Sequence, residues 1–219
     1  MYKVEYEDLA QRVYKLLKQM ILQGELRSGQ RLPQDELADR LGVSRTPLLS
    51  AFSKLEREML VETVPRRGSF VRAYSSEELL NIYDIRLRLE PLGARGATER
   101  ATDAEIEELF AFNERYESVI AEGDAGRIKE HDYEFHMMLM RMSRNVFLQN
   151  IISSNNIILI ANTVGLLKPP LESLQQHRNV IDAVRMREAD LAEEQMYHHL
   201  FTSRARLLHD GLTNLASEG

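Results

Sequence analysis

The chain has 219 residues, a formal net charge of −6 and no cysteine, which removes disulfides and thiolate metal sites. Its 43 % hydrophobic and 28 % charged residues describe a soluble globular protein long enough for one large or two modest domains. No apolar run approaches the length of a membrane helix, and the charged N-terminus MYKVEYEDLA does not suit a secretory signal, so a cytoplasmic protein is expected.

Charge is unevenly spread. Residues 1–73 carry 13 Lys+Arg against 10 Asp+Glu, the remainder 15 against 24, and all six histidines fall in the second part. A basic segment joined to an acidic, histidine-bearing one suggests two domains with different partners.

In chain order, Leu9, Val13, Leu16, Leu17, Met20 and Ile21 recur at helical spacing and Gly24 closes the pattern. The turn LRSGQRLP leads to a short helix near 35–41. Leu41-Gly42-Val43-Ser44 then supplies a glycine turn and an N-cap serine, opening a helix over about 45–59. Two short helices joined by such a turn make a helix-turn-helix. VETV and SFVRA are β-type runs flanking Pro65-Arg66-Arg67-Gly68, a hairpin with a basic tip. A winged helix-turn-helix is therefore predicted over residues 1–74.

From residue 75 the pattern is helical throughout. Ser75 with Glu78, and Thr102 with Glu105, have capping-box spacing. Helices are predicted at about 76–99 (bent at Pro91), 103–122, 125–143, 145–163, 171–187 and 190–213, with breaks at Gly123, Asn145 and Pro169-Pro170. The expected fold is mainly α: the winged domain, then an all-α helical bundle over 75–219.

The second helix of a helix-turn-helix enters the major groove by its N-terminal residues. Here these are Ser44, Arg45 and Thr46. Arg45 can donate two hydrogen bonds to guanine, and Ser44 and Thr46 suit phosphates. Arg66, Arg67 and Gly68 at the hairpin tip suit the backbone or minor groove of the same site.

The stretch from Ile21 to Arg72, with G-x-L-x-x-G-x-x-L, then L-G-V-S-R-T-P and a hairpin ending R-G-S-F-V, resembles the DNA-binding domain of the GntR family of bacterial transcription regulators. Two departures stand out: Leu49-Ser50 replaces the family's common Arg-Glu, and Gln34-Asp35 replaces Arg or Glu-Ser. Losing the arginine at 49 removes one expected DNA contact, so the operator cannot be copied from relatives.

In the second domain, HDYEFHMMLM (131–140) places Asp132 and His136 one helical turn apart on a stripe with Phe135, Leu139 and Met142. His177 shares a stripe with Leu174, Ile181 and Val184. His199 falls near Met196, Ser203 and Leu207, and periodicity does not choose between it and His198. Buried imidazoles and carboxylates need partners, and bundle cores are where metal sites are built. Asp132-x-x-Phe135-His136, Asn145, His177 with Ile181-x-Ala183, Asp190, Met196 and His199 together resemble the FCD ligand-binding domain of the FadR subfamily. That resemblance implies Asp132, His136, His177 and His199 as ligands of a divalent cation. It leaves His131 a bystander, with His131 and Glu134 at the flank or surface. Such a donor set suits Zn²⁺ first, with Ni²⁺, Fe²⁺ or Mn²⁺ as substitutes. Arg86, in the family's V-R-x-x-L-E signature (here IRLRLE), would either clamp an organic acid or pair with an acidic neighbour. Asn162 and Asn156 are candidate polar residues of the pocket.

The expected protein is a metabolite-responsive repressor, a homodimer reading a near-palindromic double-stranded operator and sensing a small organic acid at the metal. One rival is a metal-free regulator of a larger ligand such as an acyl-CoA. Another is a metal-dependent hydrolase fused to a DNA-binding domain, but H-E-x-x-H, G-x-S-x-G and P-loop motifs are all missing from the sequence, so no enzyme is expected.

Overall fold

A computed structural model describes residues 9–163 and 165–217, with side chains up to His209. The chain divides into two compact units, with the boundary between Ala73 and Tyr74.

The N-terminal unit contains α1 (Leu9–Gln23), β1 (Arg31–Leu32), α2 (Gln34–Leu41), α3 (Arg45–Arg57), β2 (Val61–Val64) and β3 (Gly68–Val71). α1 packs on α3, burying Val13, Leu17, Met20 and Ile21 with Leu48, Phe52 and Leu55. The stripe is rotated from the predicted one: Leu9 and Leu16 are exposed, and Tyr14 is buried in their stead. Its hydroxyl donates to the Glu58 carboxylate at 2.7 Å, tying α1 to the end of α3. Gly42, at φ 64, caps α2 in the left-handed conformation that glycine adopts without a Cβ clash. One strand was not anticipated. Within the predicted turn, Arg31 and Leu32 pair with Phe70 and Ser69, so the hairpin becomes a three-stranded sheet in the order β1-β3-β2.

The C-terminal unit comprises α4 (Ser76–Arg100), α5 (Asp103–Glu122), α6 (Ala125–Met142), α7 (Val146–Ser154), α8 (Ile157–Thr163), α9 (Pro170–Arg185) and α10 (Ala189–Ser217). Both capping boxes form: Ser75 and Thr102 accept from the N–H groups of Glu78 and Glu105, whose carboxylates bond back. α4 is central, packing against α6, α8, α9 and α10, and it runs on through Pro91. Small residues permit the close approach to α6. A Cβ on Gly96 would lie 2.9 Å from the Ser143 Cβ and 3.3 Å from its Cα. The single helix predicted over 145–163 is two. Asn156 takes φ 51, a left-handed turn that asparagine tolerates, and it ends the continuous helical pattern between α7 and α8.

Candidate DNA surface and metal centre

In the N-terminal unit, Ser44 is the N-cap of α3 with extended backbone, but its hydroxyl makes no capping bond. Ser44, Arg45 and Thr46 are all exposed at that helix end. First-turn N–H groups and a free hydroxyl at a helix N-terminus form a ready anion site. Arg45 is held in an ion pair by Asp35 of α2, with both side chains 67 % exposed. At the hairpin tip, Arg67 N–H donates to the Val64 carbonyl, while Arg66 at φ 64 and Gly68 at φ 101 turn the chain. Arg66 and Arg67 are exposed, and the Arg67 guanidinium lies 5.7 Å from the Phe70 ring. Charges presented on a rigid turn are suited to phosphates.

The C-terminal unit brings Asp132 and His136 of α6 together with His177 of α9 and His199 of α10. Donor atoms of the three histidines all lie within 4.8 Å of one another. Nε2 of His136 is 3.3 Å from Nε2 of His199 and 3.9 Å from an Asp132 oxygen. The other Asp132 oxygen is 3.6 Å from His177 Nε2. His199 is buried, whereas its neighbour His198 is exposed, which resolves the choice that periodicity left open.

Burial pushes His177 and His199 well below the ordinary imidazole range, and the nearby Lys168 adds to it. They are therefore neutral, the form that donates a lone pair to a metal. Both His177 ring nitrogens are buried without a hydrogen bond, a costly state for an imidazole unless a ligand completes it. These residues fit a divalent cation.

The sequence reading missed Glu90. It is fully buried on α4, accepts from Arg86 Nε at 2.5 Å and lies 2.5 Å from His136 Nδ1. Burial alone would raise its pKa, but Arg86 beside it, and then His136, hold the carboxylate at about 2. A carboxylate on Nδ1 fixes the imidazole with Nε2 turned to the metal position. A signal was available: Glu90 follows Arg86 by one turn on the stripe of Leu79, Tyr83 and Ala94. Arg86 is thus a structural partner of Glu90, the blander of its two readings, yet it also lines the adjoining cavity.

That cavity is partly open and small, about 10 Å³, and Asp132, His136, His199, Arg86, Asn162 and Lys168 are among its lining residues. Asn162 is buried, its amide 3.5 Å from the Lys129 carbonyl. Asn156 instead sits at the α7–α8 break and does not line the cavity. Lys168, on the segment between α8 and α9, is a second residue the sequence reading missed, and no periodicity marks it. Burial lowers its amine to about 7.

His131 corrects an expectation. It is buried, not at the surface, and stacks between Phe112 at 3.9 Å and Tyr116 at 4.6 Å. Burial lowers its pKa to about 4. It lies outside the histidine cluster. Glu134 pairs with Arg141 at the surface.

Residues 9–71 match the bacterial regulatory proteins of the gntR family, and residues 81–202 match the FCD domain. The chain is 28 % identical over 191 residues to the HTH-type transcriptional regulator YdhC of Bacillus subtilis, covering 85 % of each. It is 27 % identical over 195 residues to the HTH-type transcriptional repressor RspR of Escherichia coli, covering 87 % of this chain and 85 % of that one. The fold is similar to that of E. coli McbR/YncC, with a TM-score of 0.81 at 20 % identity over 94 % of this chain and 99 % of the other. With an FCD domain on more than half its length and a winged domain before it, the chain belongs to the GntR family of DNA-binding transcription regulators and is not an enzyme.

Proposed function

We propose that the protein is a metabolite-responsive repressor whose C-terminal unit senses a small organic acid at a divalent metal. The observation that carries this is the convergence of Asp132 and three buried histidines, two of them held neutral, beside a cavity that Asp132, His136, His199 and Arg86 line. Asp132, His136, His177 and His199 would hold the ion. Zn²⁺ is favoured because it takes imidazole and carboxylate donors readily, and it can accept a further ligand beside these four. When bound, the ion supplies an electrophilic anchor for a carboxylate. Arg86 and Asn162 would orient the acid from the cavity wall.

In the N-terminal unit, Ser44, Arg45 and Thr46 would face base edges and phosphates, with Arg66, Arg67 and Gly68 on the flanking backbone. Two such domains in a homodimer would read the halves of a near-palindromic operator. Binding of the acid to one arrangement of the dimer in preference to another would then shift DNA affinity. Repression is favoured by the relative that is itself named a repressor. A cytoplasmic location accords with this role, and among the described residues no helix is long and apolar enough to cross a membrane.

The test is a gel shift on the chain's own upstream DNA with metal-loaded protein, with and without a panel of small organic acids. A shifted band released by an acid is the expected result. No shift under any condition refutes DNA recognition there, and a shift insensitive to every acid refutes the sensing role.

A further inference from the structure

The cavity beside the histidines, about 10 Å³, has room for little more than one water. A wall must therefore give before an organic acid reaches Asp132, His136 and His199. One part of that wall differs from the rest. Gly165–Lys168 are four consecutive residues between α8 and α9, and all four line the cavity. Every other lining residue lies on α4, α6, α8, α9 or α10. Packed helices shift little, whereas an irregular segment can swing on a few backbone torsions.

The segment is held in a way that suits such a movement. Among the described residues its only hydrogen bond to other backbone runs from Gly165 N–H to the Asn162 carbonyl, at 3.1 Å. Side chains hold the rest. The Lys168 amine reaches the His199 carbonyl at 2.7 Å, the Thr202 hydroxyl at 3.4 Å and Gln176 Oε1, three acceptors on α9 and α10. Leu166 packs on the apolar cluster of Tyr116, Val119, Ile128 and Leu174. The two ends differ in stiffness. Gly165 takes φ 94, a conformation open to glycine and strained for other residues. Pro169 and Pro170 instead fix the chain where α9 begins. A segment with little backbone pairing, held by two side chains, opens before the helices around it do.

We propose that Gly165–Lys168 is a strap closed over the histidine cluster, hinged at Gly165 and latched by Lys168, which opens to admit the effector. This rests on the reading of the cavity as an organic-acid site, whose access it explains.

The chain has no cysteine, so one introduced thiol reports the opening. Ser173 is buried, lines the cavity and has no hydrogen-bond partner for its Oγ, so Ser173→Cys puts a thiol behind the strap without breaking a contact. Val180→Cys is the control, equally buried on the same helix but away from the cavity. The full chain is treated with methyl methanethiolsulfonate, and the modified fraction is followed by mass spectrometry. Adding Lys168→Met should speed modification at 173 by about tenfold or more, the scale of losing hydrogen bonds from a charged group, and leave the rate at 180 unchanged. Equal speeding at both positions would mean that Lys168 merely stabilises the whole unit. An unchanged rate at 173 would mean that it latches nothing. Either result overturns the proposal. Should the Lys168→Met chain fail to fold, Gly165→Ala decides on the same readout: it keeps the latch but strains the hinge, and should speed the reaction at 173 alone by about fivefold. The rates are read with no acid or DNA present, so they hold or fail independently of the gel shift that tests acid sensing.

Discussion

The two ends of this protein place their charged groups in opposite ways. In the winged unit the candidate DNA-contacting side chains stand exposed on an apolar scaffold, and Arg45 is held only by a solvent-exposed pair with Asp35. In the helical unit Arg86, Glu90, Asp132, His136, His177 and His199 are buried among one another. An exposed ion pair is screened and contributes little, whereas a buried charge is costly once its partner is removed. The winged unit should therefore tolerate the loss of any one contact as a protein, while the helical unit should register each loss in stability or ligand affinity.

Glu90 is where that contrast should be largest. Replacing it by glutamine leaves the Arg86 guanidinium buried with no anion, a change expected to cost about 3–5 kcal/mol. Urea unfolding of the metal-free protein, following the transition of the helical unit, measures it; a loss under about 1 kcal/mol would mean that the pair is solvated. The same variant removes the carboxylate charge beside His136 Nδ1, so metal affinity should also fall by about 10–100-fold.

Next in size are the ligands themselves. His136→Ala, His177→Ala and His199→Ala should each weaken metal binding by more than about 100-fold, exceeding the effect of an outer partner, and to similar extents. Competition against a chromogenic chelator would rank them. A variant at His177 that binds metal like the wild type would remove it from the ligand set, leaving its two unpartnered nitrogens to another explanation.

How much of this was legible in the sequence follows from the range over which each feature is determined. Capping boxes, the glycine turn before α3 and the stripes carrying His136 and His177 depend on neighbours within a turn or two, and each was readable. β1 was not, because a two-residue strand exists only through its pairing with Phe70 and Ser69, far along the chain. The α7–α8 break was half-legible: Asn155-Asn156 marks it, but the apolar residues on both sides preserve a helical period across it. His131 shares the period of a flank position, and only its aromatic neighbours on α5 bury it. Residue types and spacing put Asp132, His136 and His177 on apolar stripes, and the resemblance alone named them as ligands and chose His199 over His198. The orienting carboxylate and the cavity lysine come from α4 and an irregular segment, where no local pattern announces proximity.

On the winged side the expected effects are smaller and differ in kind. Arg45→Ala should cost about 1–3 kcal/mol of operator affinity if its guanidinium reads a guanine, with discrimination lost at one base-pair position. Arg67→Ala should instead weaken binding to operator and unrelated DNA alike, and lower the slope of log affinity against log salt by about 0.9, the loss of one phosphate contact. Fluorescence anisotropy over a salt series on both DNAs separates the two outcomes. Neither variant should change metal affinity or the unfolding of the helical unit, because neither side chain is part of that buried network. An Arg67→Ala variant that altered base preference would mean that the tip reads sequence, and the division between a positioning hairpin and a reading helix would not hold for this protein.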